Sequence, residues 1–233
     1  MMRLDKLLRE RGIASRTETK RLIAEGRVTV NGIAAESHSR MCEMSDVVAV
    51  DGRVIEAAAP VYLMLHKPAG CVTATSDETE QTVMDLLPAT YRELALFPVG
   101  RLDKESEGLL LLTNDGSFCT RVIEPEHHVP KTYYIEVGKE FALGTEQRFA
   151  EGIVFPNGTV CRPGEIEISK DRMSALVTVT EGKTHQVRRM SAACGSKVRY
   201  LKRISIGKLT MEDSLMKGQC RELTEDELKL IFE

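Results

Sequence analysis

Three short stretches of this chain combine residue types and spacings that could do chemistry. The first is Gly100-Arg101-Leu102-Asp103-Lys104-Glu105-Ser106-Glu107-Gly108, followed by the apolar run Leu109 to Leu112. Read alone, Arg-Leu-Asp is most often a loop ion pair. Held in a closed pocket, the same carboxylate is a nucleophile or a base. The second stretch, Lys131-Thr132-Tyr133-Tyr134, sets a cation beside an aromatic pair, and its plain reading is a strand with one tyrosine buried and one exposed. The third runs from Glu181 to Met190 and carries Lys183, His185, Arg188 and Arg189.

The third stretch contains Gly182-Lys183-Thr184, which raises a phosphate-binding loop. That motif needs a glycine where Val177 stands, and its backbone cradle needs a glycine-rich turn where this sequence has an alternating strand. Nucleoside triphosphate chemistry is therefore rejected. No metal is expected either, because His127 and His128 are adjacent and no cysteine or carboxylate set has ligand spacing. The 6 cysteines are spread without a CxxC pair and read as free cytosolic thiols, none marked as activated.

The elements that must position these stretches form two groups. Up to about residue 59 the pattern predicts a helix from Leu4 to Arg9 broken at Gly12, then a second helix with Ser15 and Glu18 as a capping box and its end near Gly26. Arg27 to Val30 reads as a strand, Asn31-Gly32 as a hairpin turn, and Asp46–Val50 and Arg53–Ile55 as weak strands. Ala57-Ala58-Ala59-Pro60 reads as a linker. Beyond it, strands are predicted at Tyr62–His66, Leu109–Thr113, Thr132–Val137 and Ala175–Thr180, with a turn at Asn114-Asp115-Gly116. An amphipathic helix is predicted over 184–194, and a last helix starts at Thr224 with Glu227 completing a capping box. The division expected is 1–59 and 60–233, the larger part being α+β.

With 233 residues, 42% hydrophobic and 29% charged, the composition is that of an ordinary soluble globular chain. No uninterrupted apolar stretch is long enough to span a membrane, and the charged start MMRLDKLLRERG is not expected to serve as an export signal. A net charge of −3 hides local asymmetry. From Lys183 to Lys208 there are basic side chains, among them Arg188, Arg189, Arg199, Lys202 and Arg203, and no acid at all. Arg16, Lys20, Arg21 and Arg27 make a second basic cluster. The plain reading of each is a solvated face. A window so rich in uncompensated positive charge also suits a polyanion.

Taken together, GRLDxxSxGLLLLTNDG, then KTYY, then EGKTHQVRRM occur in the order found in pseudouridine synthases of the RsuA branch, and MLHKPAGCVTAT (Met64 to Thr75) adds to that likeness. The chain is identified as a member of that family over nearly its whole length. Residues 2–50, with SRTxxKRLIxxGRVxVNG, resemble the S4-like RNA-binding domain that usually precedes it. The resemblance implies a mixed, largely antiparallel sheet with flanking helices and an active cleft across its middle. It implies Asp103 as the nucleophilic aspartate, Tyr133 as the active-site tyrosine and Arg188 as the partner of the aspartate. It also implies Arg101 as the arginine that holds the base out of the helix, with Lys67 and Leu109 near the site. Arg189, Arg199, Lys202 and Arg203 are expected to bind the flanking RNA, and Arg16, Lys20, Arg21 and Arg27 to bind it from the first domain.

Making pseudouridine from uridine cuts a bond from ribose to nitrogen, turns the base and rejoins it through carbon. It involves no net redox change and no transferred group, so no cofactor or metal is required. Asp103 is expected either to attack the ribose carbon or to remove its 2′ proton, and an adjacent guanidinium favours its charged form. The expected substrate is a uridine of 16S ribosomal RNA, free or in a partly assembled subunit, with 23S RNA the alternative. A non-catalytic ribosome assembly factor is disfavoured because Asp103 and Arg188 are both present. A cytoplasmic monomer with no membrane partner is expected.

Overall fold

The computed structural model describes residues 2–11, 13–43, 46–55 and 59–233, which divide into two compact units. The first takes in the chain up to Val61 together with Pro88–Leu96 and Asn114–Gly116. In order its elements are β1 (Met2–Arg3), α1 (Leu4–Glu10), α2 (Arg16–Ala24), β2 (Val28–Val30), β3 (Ile33–Ala34), β4 (Met41–Cys42), β5 (Val48–Val50), β6 (Arg53–Val54) and α3 (Ala89–Arg92). Leu4, Leu7 and Leu8 of α1 pack with Leu22 of α2 and with Val28, Val30 and Val48 of a sheet ordered β3-β2-β5-β6. Asn31 and Gly32 both have positive φ, as a tight hairpin turn requires, and Asp51-Gly52 repeats the device between β5 and β6.

Ser15 caps α2 by accepting from the Glu18 amide. The reciprocal half of the expected capping box is absent, because the Glu18 carboxylate pairs with Arg21 on the next turn instead. The predicted strands at 46–50 and 53–55 shorten to β5 and β6. The helix break expected at Gly12, and Ala57-Ala58 of the expected linker, lie outside the described residues.

The second unit is built on β7 (Tyr62–Lys67), β8 (Phe97–Pro98), β9 (Glu107–Thr113), β10 (Lys131–Val137), β11 (Glu165–Ile168), β12 (Ser174–Val179), β13 (Val198–Ile206), β14 (Leu209–Thr210) and β15 (Cys220–Glu222). Its helices are α4 (Gly116–Ile123), α5 (Thr145–Glu151), α6 (Gln186–Ala193) and α7 (Glu225–Leu230). The sheet runs β11-β12-β10-β13-β9-β7-β15, with β14 on β13 and β8 on β9. Only β9 against β13 is parallel among these pairings, so the sheet is mixed and largely antiparallel, as expected. One core lies where Ile135, Val177 and Leu201 meet Phe149 of α5 and Met190 of α6. A second lies where Leu109 and Leu111 meet Phe118 and Val122 of α4. The capping box at Thr224 and Glu227 forms in full.

The basic window hid β13. Its inward Val198, Leu201 and Ile206 alternate with charged and polar residues, and a bulge on it leaves Ile204 unmatched on β10, between the pairs Tyr133–Arg203 and Thr132–Ser205. The parallel crossing of β9 and β13 depends on a glycine. Gly108 pairs with Arg203 at φ 106°, and a Cβ there would lie 2.1 Å from the Arg203 carbonyl oxygen and 2.7 Å from its nitrogen. Gly108→Ala is expected to destabilise this unit by at least about 3 kcal/mol, since both the backbone conformation and the contact are forbidden to a side chain. Chemical denaturation would show it as a lowered midpoint; an unchanged midpoint would mean that the strands can part at no cost.

Candidate active site

The loop between β8 and β9 carries Arg101 and Asp103, and three neighbours fix its path. The Thr73 hydroxyl donates to the Leu102 carbonyl at 2.7 Å and accepts from the Leu102 amide at 3.2 Å. The Ser106 amide donates to the Asp103 carbonyl at 3.0 Å. Lys67, at the end of β7 and 0% exposed, donates to the carbonyls of Pro68 (2.9 Å), Lys104 (3.2 Å) and Ser106 (2.8 Å). Three carbonyl dipoles around one ammonium account for its burial without a carboxylate hydrogen-bonded to it, and desolvation still draws its pKa below the ordinary lysine value.

The Asp103 carboxylate is half-buried at a cleft that Arg101, Tyr133, His185 and Arg188 also line. Its two oxygens face different side chains. Arg188 Nε, from α6, is 3.4 Å from Oδ2, and His185 Nε2 is 3.5 Å from Oδ1. Arg188 also donates through Nη2 to the Ser106 hydroxyl at 3.2 Å, and that hydroxyl lies 3.5 Å from Asp103 Oδ2. Arginine, serine and aspartate thus close a small ring that fixes the carboxylate plane.

His185 reaches this position because it sits in the left-handed region (φ 51°, ψ 32°) just ahead of α6. The turn before it is held by buried Glu181, which accepts from Gln186 Nε2 at 2.8 Å and from the Arg162 amide at 3.0 Å and pairs with the Lys183 ammonium. The Lys183 amide donates to Gln186 Oε1 at 2.9 Å. The Gly-Lys-Thr run therefore serves to shape this turn. Among the described residues no three His, Cys, Asp or Glu side chains gather as a metal site would need.

Asp103, Arg101, Tyr133 and Arg188, predicted from three separate stretches of the sequence, line one cleft. Two predicted substrate-binding residues need correcting: Lys67 and Leu109 are 0% exposed and offer no open surface to RNA. Arg203, 4% exposed with its Nε donating to the Leu109 carbonyl at 2.7 Å, is withdrawn from the outer face that would meet flanking phosphates, although it lines the cleft. Sequence proximity to the motifs marked them; packing turned them inward. Arg189 faces away, its guanidinium 3.8 Å from the Phe155 ring centre and bonded to Asn157 at 3.0 Å. Arg199 is exposed and Lys202 half-buried on β13, outside the residues that line the cleft.

In the first unit Arg16 pairs with Asp5 at 3.2 Å, Arg27 with Asp51 at 2.6 Å and Arg21 with Glu18, while Lys20 is exposed. These arginines remain solvent-accessible, and exposed pairs of this kind are weak enough to exchange for phosphate. Sequence reasoning missed Thr73, Ser106 and His185. His185 and Ser106 lay inside the motifs, but nothing in a residue pattern reports a left-handed φ or a hydroxyl bridging two side chains.

The fold and this cleft define an RNA-modifying isomerase. The family model described as RNA pseudouridylate synthase matches residues 61–193, and that of the S4 domain matches residues 2–48. The chain belongs to the RNA pseudouridylate synthase family, with an S4 RNA-binding domain ahead of the catalytic one. It is 39% identical to the Bacillus subtilis protein described as uncharacterized RNA pseudouridine synthase YtzG, over 100% of this chain and 99% of that one. It is 36% identical to ribosomal small subunit pseudouridine synthase A of Yersinia pestis, over 97% of both chains. A crystal structure of a pseudouridylate synthase, 32% identical, superposes with a TM-score of 0.72 over 99% of this chain and 100% of that one.

Proposed function

We propose that this protein isomerises one uridine of 16S ribosomal RNA to pseudouridine, with Asp103 as the attacking group. The observation that carries the chemistry is the Asp103 carboxylate set between Arg188 and His185 in a cleft. The likeness to enzymes named for the small ribosomal subunit, over nearly the whole of both chains, supports the substrate.

An extruded uridine enters with its ribose toward Asp103 and its ring against Tyr133. Extrusion costs a few kcal/mol in a helix and less in a loop, which favours a target in a weakly paired segment. The Arg188 guanidinium keeps one carboxylate oxygen engaged, leaving the other to meet ribose C1′ or the 2′ proton. Arg101, exposed at the cleft, fills the space the base vacates. Lys20 and the arginines of the first unit hold flanking phosphates, each contact steepening the log–log salt dependence by about 0.7 for single-stranded RNA. The enzyme works as a cytoplasmic monomer on free or partly assembled small-subunit RNA. Among the described residues no helix is long and apolar enough to cross a membrane.

The test incubates 16S and 23S transcripts with the protein and maps pseudouridines by carbodiimide labelling and reverse-transcription stops. One new stop in 16S RNA is expected. A stop confined to 23S RNA would overturn the substrate, and none on either transcript or on partly assembled particles would overturn the function.

We also propose the division at residues 59 and 60 as a functional one. Removing residues 1–59 is expected to weaken RNA binding roughly tenfold or more, in line with the loss of two or three phosphate contacts, while residues 60–233 keep their fold. Filter binding and circular dichroism would check it; collapse of the remainder would refute the division.

A further inference from the structure

The cleft has a second lobe in which Val99, Val122, Ile123 and Ile206 lie with Lys131 and Arg203, across from Arg101, Asp103 and Lys183. Both cations are buried, Lys131 at 9% and Arg203 at 4% exposure. Lys131 donates to the carbonyls of Val122 (2.9 Å) and Val129 (2.8 Å), and Arg203 to that of Leu109 (2.7 Å). No carboxylate is bonded to either among the described residues, and Arg203 Nη2 is buried there without a hydrogen-bond partner. Burial first and the nearby Arg203 second pull the Lys131 pKa down to about 8.

Two buried charges of one sign with no counter-ion destabilise a fold, so their presence beside Asp103 calls for a transient anion as their partner. The walls decide which anion. A phosphate is compact, strongly hydrated and needs several donors, whereas the four aliphatic side chains on the Lys131 and Arg203 side of the lobe offer none, its other donors lying on the Arg101 and Lys183 side. A flat anion with delocalised charge suits apolar walls beside two cations. We propose that Lys131 and Arg203 hold uracil as an anion in this lobe during the interval when it is detached from ribose.

This rests on the isomerase reading above, and the chemistry supplies such a species. Breaking the C1′–N1 bond leaves its electron pair on the base, spread over N1, O2 and O4. The C1′ centre is satisfied by an ester bond to Asp103 or by loss of the 2′ proton to Asp103. On rejoining, C5 gives an electron pair to C1′ as the ester bond breaks back to the Asp103 carboxylate, or as Asp103 returns its proton to C2′; C5 then loses its proton and N1 gains one, so the outcome is an isomer and no oxidant or reductant enters. A preorganised positive field stabilises the charge where it develops, which acts on the rate and not on RNA affinity.

Single-turnover rates with enzyme in excess, on whichever RNA shows the mapped stop, test this role. Lys131→Met is expected to slow conversion roughly 10²-fold with RNA affinity unchanged, and Lys131→Arg to restore most of the rate. The wild-type rate should fall as pH rises through about 8, where Lys131 loses its charge, and the Lys131→Arg rate should not. The titratable and charged groups that share the lobe with Lys131 are Arg203, Arg101, Asp103, Lys104, Tyr133, Glu181, Lys183 and His185; a fall set by any of them persists in Lys131→Arg. An undiminished rate in Lys131→Met overturns this role, as does weakened RNA affinity at an undiminished rate, which would mark a phosphate contact. Should Lys131→Met fail to fold, parallel pH profiles of wild type and Lys131→Arg overturn it. Wild-type protein that makes no pseudouridine would instead overturn the isomerase reading.

Discussion

Asp103→Asn is expected to abolish turnover, lowering the single-turnover rate by roughly 10⁴-fold or more, while RNA binding stays close to wild type. Asparagine keeps the shape of the side chain and can still meet the Ser106 hydroxyl, which lies 3.5 Å from the carboxylate. It cannot form an ester with ribose or take up a proton at neutral pH. Arg188 loses its ion-pair partner and His185 its carboxylate neighbour, yet both side chains border an open cleft and find water. Quantifying pseudouridine in RNA incubated with excess variant separates this from a binding defect. Retained turnover within tenfold of wild type would remove Asp103 from the chemistry and leave the cleft without a nucleophile.

The second large effect is on stability. Lys67→Met is expected to destabilise the catalytic unit by about 3 kcal/mol, because three buried carbonyls lose their shared donor at about 1–3 kcal/mol each, partly offset by removal of a desolvated charge. Those carbonyls belong to Pro68, Lys104 and Ser106, so the loop carrying Asp103 loosens and the rate falls with it. Urea unfolding and RNA affinity measured together distinguish this from a direct role. A lysine that touched RNA would weaken binding and leave the unfolding midpoint alone; the opposite pattern is expected here.

The order and residues of the motifs marked Asp103, Tyr133, Arg188 and Arg101 before any fold was known, and the fold brings all four to one cleft. Local rules likewise marked the hairpin at Asn31-Gly32 and the capping box at Thr224, because those signals depend on residues that are neighbours in the chain. The half-made box at Ser15 shows where such rules stop: Glu18 had a cation on the next turn to prefer.

Lys67, Leu109 and Arg203 show the larger gap. Sequence placed them by motif, but whether a side chain lines a cleft or supports it depends on which strand face it occupies. For Arg203 that face is set by a bulge on β13, a strand whose basic composition disguised it. Residue types and their order thus determined the family, with an S4 domain ahead of the synthase domain, and pointed to the carboxylate that the structure sets in the cleft. Tertiary structure decided that Lys67 pins the Asp103 loop, that His185 faces the second carboxylate oxygen and that two buried cations line the cleft. Those facts come from the crossing of β9 with β13 at Gly108 and from one left-handed residue before α6, contacts between segments far apart in the chain that no local pattern encodes.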